Sequence, residues 1–362
     1  MLKKTPLEDQ HRALGAKLGE FAGWSMPIEY EGTLSEHKAV REAAGIFDLT
    51  HLGKVEVHGP GALGWLQSVV TNDLGKIELG QAQYNLVLGE QGGIIDDLIV
   101  YWDTPDAFLV VPNAANTGPV LAALTDGAPG DVTIRHRPDL TTIAVQGPEA
   151  PRLIGSMFEG TEPLGYMHTG TVKHRDEAVM LARSGYTGEP GYELFATDGV
   201  AESLWIELLE RGNDVGLKPA GLGARDTLRL EMAYPLHGND ISEDRTPLEA
   251  GLSWAVSFDK GEFRGREALV KQKEQGISAR LRALRMEGRL IPRAHYPVFS
   301  EGAQVGETTS GTFSPTLRVG IALAYLSPPD GFAPGDRVEV DVRGRRGQAE
   351  IVKPPFVESS PK

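Results

Sequence analysis

The sequence predicts a protein of mixed helices and strands in two or three domains, the last of them a small β-barrel or β-sandwich. Three observations predict it. The chain has 362 residues, more than one ordinary hydrophobic core serves. Up to about residue 275, helical periodicity and short β-type runs follow one another. Beyond that point β-type runs alternate with Gly/Pro/Ser turns, as in Gly302–Val305, Val319–Tyr325 and Arg337–Val342, which marks a separate C-terminal β unit of roughly 85 residues.

Taken in order, Ser35–Gly45 reads as a helix with a serine N-cap and a glycine just past its end. Lys54–His58 alternates like a strand, and Gly61–Val70 follows as a helix. Tyr84–Leu88 and Ile94–Trp102 read as strands joined by the Gly89–Gly93 turn. Phe108–Val111 is a further strand, leading through the Pro112–Asn116 loop to a helix near Pro119–Leu124. Asp126–Asp131 is a flexible connector, and Thr141–Val145 a short apolar strand that stops at Gln146-Gly147-Pro148. Ala201–Arg211 and Leu222–Glu231 carry amphipathic helical patterns.

One of these strands holds a chemical anomaly. Asp96 and Asp97 sit side by side among Ile94, Ile95, Leu98, Ile99, Val100 and Tyr101. Successive strand side chains point to opposite faces, so the two acids have different surroundings. The expected phase puts Ile95, Asp97, Ile99 and Tyr101 on one face and Asp96, Leu98 and Val100 on the other. A carboxylate buried there must pair, accept hydrogen bonds or take a raised pKa.

Composition narrows the function. Hydrophobic content of 40% and charged content of 24% suit a soluble globular protein. No apolar stretch approaches the ~20 residues of a membrane span, and Met1–Leu7 lacks the apolar core of a signal peptide. The absence of cysteine excludes disulfides, thiolate metal sites and cysteine nucleophiles, and fits a reducing cytoplasm. A formal charge of −14 repels phosphate backbones, so no nucleic-acid partner is expected. The nine histidines show no ligand spacing, and no metal site is expected. Gly59-Pro60-Gly61-Ala62-Leu63-Gly64 matches a dinucleotide-binding pattern, but Glu78 falls in a turn rather than at the end of a second parallel strand. The segment therefore reads as a tight strand-to-helix turn.

Two other segments have two readings each. Ser184–Leu194 packs three glycines into the seven residues Gly185–Gly191 and adds Tyr186, Tyr192 and Glu193, which suits either a ligand loop or a hairpin with surface tyrosines. Arg225 falls in the first turn of the Leu222–Glu231 helix, against the helix dipole. It either points at an anion or, with Arg229, belongs to a solvated charged face.

Nine collinear segments, taken together, carry a family resemblance. They are Thr71–Leu74, Gly92–Tyr101, Val111–Asn116, Gln146–Pro148, Ser184–Glu193, Gly221–Glu231, Pro235–Asp240, Thr246–Leu252 and Thr309–Leu317. In this order they resemble the T-protein of the glycine cleavage system, the folate-dependent aminomethyltransferases. The resemblance implies an α+β body of two interleaved antiparallel-sheet, ferredoxin-like subdomains over residues 1–275, and a C-terminal β-barrel domain over 276–362, around a central channel. It implies tetrahydrofolate as acceptor substrate, and lipoylated H-protein as partner, acting with the P- and L-proteins. Residue by residue it implies Asp97 as the catalytic acid close to the pteridine, with Asn113 binding the same ring system. Leu52, Tyr84, Ile99 and Tyr101 match pocket-lining positions, and Tyr186, Glu193 and Arg225 match further folate contacts, with Trp254 as a wall residue. One of Arg280, Arg282 and Arg285 matches a basic channel position. Asp96 is left as a structural or solvated carboxylate.

The same superfamily offers rivals. Folate domains of sarcosine or dimethylglycine dehydrogenases are usually fused to a flavin domain, which this sequence does not encode. The iron–sulfur assembly relatives carry a cysteine in the loop that here reads Gly185–Glu189. A folate-binding protein without catalysis is the third alternative.

Overall fold

The computed structural model describes residues 1–158, 164–359 and 361. Its architecture is α+β, with two larger sheets, a small N-terminal sheet and a closed barrel. The six-stranded sheet runs in the order Thr169–His174, Glu177–Ala182, Gly191–Thr197, Leu140–Gln146, Ala44–Asp48, Leu217–Pro219. The five-stranded sheet runs Ala82–Leu88, Ile94–Thr104, Ala107–Val111, Val55–His58, Thr133–His136. All of its strands fall between Ala44–Asp48 and Leu140–Gln146 in the chain, so the two sheets interleave by nesting. The pairing is not wholly antiparallel. Leu217–Pro219 joins the edge parallel to Ala44–Asp48, as a strand returning through a long crossover can.

Each sheet has one face under helices. Ala150–Met157 and Asp198–Gly212 cover the six-stranded sheet, with Leu153, Ile154, Leu204, Trp205 and Leu208 buried against Ile143, Val145 and Leu194. Ala62–Val69 and Thr117–Thr125 cover the five-stranded sheet, with Leu66, Val69, Val120 and Leu124 against Val55, Leu98 and Val100. The other faces meet where Tyr101, Leu109 and Val111 pack on Ala182 and Phe195. Packing of this kind leaves the inner strand faces to line whatever space separates the sheets.

The C-terminal unit closes as a barrel, in the order Arg280–Met286, Val319–Leu326, Ala303–Ser314, Pro297–Ser300, Arg337–Val342, Arg345–Val352. The Leu222–Glu231 helix attaches it to the body. Glu231, fully buried, accepts from Arg41, Ser314 and Thr316 and lies 3.3 Å from His37 Nε2.

Several sequence expectations change. The Ser35–Gly45 helix is Thr33–Glu42, with Gly32 at its N-cap and Gly45 inside a strand. Ser35 lies within its first turn, and the Glu36 carboxylate instead accepts from the Tyr30 and Gly32 backbone N–H groups. The N-terminal sheet of Lys3–Lys4, Lys17–Phe21 and Trp24–Glu29 was not anticipated, because its short, half-exposed strands lack clean alternation. Val55–His58 has antiparallel neighbours on both sides, so the Gly59–Gly64 turn has no parallel strand beside it. Among the described residues no helix is long and apolar enough to cross a membrane.

Candidate active site

A cavity of about 1080 Å³ lies between the two sheets, the Leu222–Glu231 helix with the loop after it, and the barrel. Its position follows from how the Ile94–Thr104 strand begins. A Cβ at Gly93 would sit 1.8 Å from the Glu243 carbonyl oxygen, and the Ile94 N–H donates to both Ser242 and Arg245. The strand is therefore clamped to the loop under the cavity by a contact that only glycine allows.

Just past the clamp a β-bulge interrupts the pairing, with Val87 opposite Asp96 and Leu88 opposite Ile94. The unpaired Ile95 leaves the expected phase and packs with the helix-covered core. Beyond the bulge, alternation resumes, and Asp97, Ile99 and Tyr101 line the cavity.

Asp96 is not solvated. It is fully buried and accepts from the Asn113 backbone N–H at 2.8 Å, from Asn113 Nδ2 at 2.8 Å and from Asn116 Nδ2 at 2.6 Å. Asn113 Nδ2 also donates to Asp97 Oδ1 at 2.9 Å and to the Asp97 carbonyl at 3.0 Å, so one amide bridges both acids. Its donors are spent there. Only Asn113 Oδ1 remains to meet a ligand. Tyr84 donates its hydroxyl to Asp97 Oδ2 at 3.1 Å, and its ring stacks on Trp254 at 5.1 Å. Trp254 is 65% exposed, which makes it a rim residue rather than an interior wall.

Burial pushes the Asp97 carboxyl up to about 7, and the neighbouring Asp96 charge adds to the rise. Burial pushes Asp96 up to about 6, while hydrogen bonds from Asn113 and Asn116 pull it back. Of the two readings left for Asp96, structural or solvated, the structure shows the structural one, with Asp96 tied to Asp97 through the Asn113 amide.

Across the cavity, Glu193 accepts from Tyr101 at 2.8 Å and from Ser184. Tyr186 donates to the Pro235 carbonyl, stacks on Tyr234 at 5.6 Å and lies under the Arg225 guanidinium at 4.7 Å. The loop that presents Tyr186 is held by Gln146, whose amide donates to the Ser184 carbonyl and accepts from Thr187. A Cβ at Gly185 would fall 1.9 Å from that amide. The ambiguous Ser184–Leu194 segment thus forms part of a cavity wall.

Arg225 has no carboxylate within ion-pair distance among the described residues. Burial lowers its pKa, and an anionic ligand would relieve the unpaired cation. Arg229 is not on a solvated face. It is 2% exposed, pairs with Asp240 at 2.8 Å and donates to Ser310 of the barrel at 2.9 Å. Leu52 lines the cavity too. Of the three basic candidates only Arg282 does, and its Nε and Nη2 donate to the Phe332 and Pro329 carbonyls. Arg280 lies near Asp330, and Arg285 pairs with Glu350.

This geometry has close relatives. Residues 7–260 match the GCVT N-terminal domain family, and residues 280–358 match the glycine cleavage T-protein C-terminal barrel domain. The chain belongs to the glycine cleavage T-protein family. It is 49% identical over 365 residues to an aminomethyltransferase of Frankia alni, covering 100% of this chain and 99% of that one. An aminomethyltransferase of Mycobacterium tuberculosis is 48% identical over 354 residues, covering 97% of this chain and 96% of the relative. The crystal structure of glycine cleavage system aminomethyltransferase T from Bartonella henselae superposes with a TM-score of 0.92 at 35% identity, covering 99% of both chains.

Within this T-protein frame the sequence reading missed several cavity residues. Ser310 lines the cavity and donates to Asp240 at 2.8 Å, while Arg229 donates to both, although Ser310 lies far from the other two in the chain. His51 and His237 also line the space, and so does the tip of the N-terminal hairpin at Phe21 and Ala22. The Pro235–Asp240 segment belongs to the family pattern, but nothing in its composition sets His237 apart. Among the described residues no group of His, Cys, Asp and Glu has the arrangement of a metal site.

Proposed function

We propose that the chain transfers the methylene carbon of aminomethyl-lipoyl H-protein to tetrahydrofolate, releasing ammonia and giving 5,10-methylenetetrahydrofolate and dihydrolipoyl H-protein. One observation carries this reading. A carboxyl with a pKa near 7, Asp97, lines a cavity that opposes it with a cation lacking a carboxylate partner, Arg225. Tetrahydrofolate is an acceptor substrate with a polar heterocycle at one end and carboxylates at the other, which matches that polarity.

In this reading Asp97 orients the pteridine and moves the proton as N5 attacks, since a pKa near the working pH lets one group both accept and give a proton. Tyr84 and Asn113 hold Asp97 in place, and Asn113 Oδ1 meets the ring system. Leu52, Ile99 and Tyr101 keep water from the methylene carbon, which would otherwise hydrolyse to formaldehyde. Tyr186, Glu193 and Arg225 bind the rest of the folate, with Trp254 at the rim. No metal takes part. The functional division is a folate-binding body over 1–275 and a barrel over 276–362 that closes the channel. The enzyme works in the cytoplasm with lipoylated H-protein and the P- and L-proteins, without nucleic acid or membrane. The test is to mix the protein with aminomethylated lipoyl H-protein and tetrahydrofolate. Ammonia release should need both, and release without folate would overturn the reading.

A further inference from the structure

We propose that His237 is a second acid–base group of this transfer, passing between the cavity and solvent the proton that Asp97 does not carry. The inference rests on the aminomethyltransferase reading. That reaction breaks the C–N bond to ammonia and the C–S bond to the lipoyl sulfur, and forms carbon bonds to N5 and N10 of the folate. N5 and N10 each lose a proton, while the departing nitrogen and the sulfur each gain one. No electrons are exchanged with an outside reagent. Two proton transfers therefore occur at four separate atoms, and one carboxyl holds one proton at a time.

His237 lines the same cavity as Asp97. Its Nε2 lies 3.0 Å from the Ile94 carbonyl oxygen at the start of the Asp97 strand. A carbonyl only accepts, so Nε2 carries the hydrogen and the neutral ring has its lone pair on Nδ1. No described residue meets Nδ1. Gly238 and Asn239, which follow, are exposed, so the half-buried imidazole stands between the cavity and bulk water. Its positive form also favours ionised Asp97, which links the two proton sites.

Other candidates in the cavity are committed. Glu193 is held by Tyr101 and Ser184, and Arg229 by Asp240. The other imidazole there, His51, is kept neutral by burial and by Arg225, which push it down to about 3.

The test begins with the wild-type protein, aminomethylated lipoyl H-protein and tetrahydrofolate. Failure of folate-dependent ammonia release there would count against the functional reading itself and leave His237 out of account. With that activity in hand, His237→Gln keeps an amide N–H for the Ile94 carbonyl but has no titratable nitrogen, and His237→Ala opens room for added imidazole. Turnover should fall about 100-fold in both variants, as loss of a general acid–base group does, with the folate Kd within about twofold of wild type. Added imidazole should restore about tenfold or more to His237→Ala. The proposal is overturned if His237→Gln turns over within about threefold of wild type, or if imidazole leaves His237→Ala unrescued.

Discussion

At the scale of the residue, the Asp97 proton has different consequences in the folded and unfolded chain. Its folded pKa, about 7, lies above the ordinary 3.8. The folded state therefore binds the proton more tightly, and this group's contribution to stability falls as pH rises from about 4 to about 7. Asp97→Asn removes that dependence. We expect the variant to gain stability on wild type as pH rises through this window, by on the order of 2 kcal/mol at pH 8, while turnover falls about 100-fold or more. Urea unfolding at pH 5 and pH 8, alongside an ammonia assay, checks both halves. Asp96→Asn should behave differently, because it sets amide hydrogens against the Asn113 and Asn116 donors. We expect a loss of about 2–3 kcal/mol and a lower turnover through displacement of Asn113, read by unfolding and by kcat at saturating folate. Arg225→Ala should chiefly raise the folate Kd, by about tenfold or more, in a calorimetric titration. The sequence flagged Asp97 and Arg225 because an acid in a strand and a cation at a helix start break local rules. The role of Asp96 was hidden, since its partners at Asn113 and Asn116 depend on how the following strand and loop fold back.

At the scale of the element, the legible parts were those whose local pattern agrees with their surroundings. Leu222–Glu231 is a helix over the expected residues, with Leu228 and Leu230 buried. The strand of the aspartate pair was placed correctly, yet its bulge was not, because one unpaired residue leaves no mark in composition. The barrel was visible in its turns, whereas its closure depends on the non-local pairing of Arg280–Met286 with Arg345–Val352. The joint between helix and barrel is Glu231. Burial alone would raise its pKa, but His37, Ser314 and Arg41 hold it down at about 2. Its contribution to stability is thus present above about pH 4.5 and is lost only as pH falls toward 2. Glu231→Gln should destabilise the protein by about 1–3 kcal/mol, because it sets amide hydrogens against the Arg41, Ser314 and Thr316 donors while Glu189 still pairs with Arg41. Barrel strands should also become sites of early proteolysis, which mass spectrometry of limited digests would detect.

At the scale of the whole molecule, body and barrel share the walls of one cavity, so a ligand there bears on both. Tetrahydrofolate at 100 times its Kd should raise the unfolding free energy by about 2.7 kcal/mol, and a thermal scan should show one transition rather than two. Separate transitions in the presence of folate would argue against a shared site. The nesting of the sheets has a further consequence, for synthesis. The five-stranded sheet is drawn from one continuous stretch, Val55 to His136, and can assemble as soon as that stretch leaves the ribosome. Ala44–Asp48 emerges earlier but pairs with Leu140–Gln146 and Leu217–Pro219. At about 5–20 residues per second this strand waits several seconds or more for its neighbours. During that interval the nascent chain presents the Ala44–Asp48 strand, with Ile46 and Phe47 uncovered and both edges open, which is where a holding chaperone would be needed first.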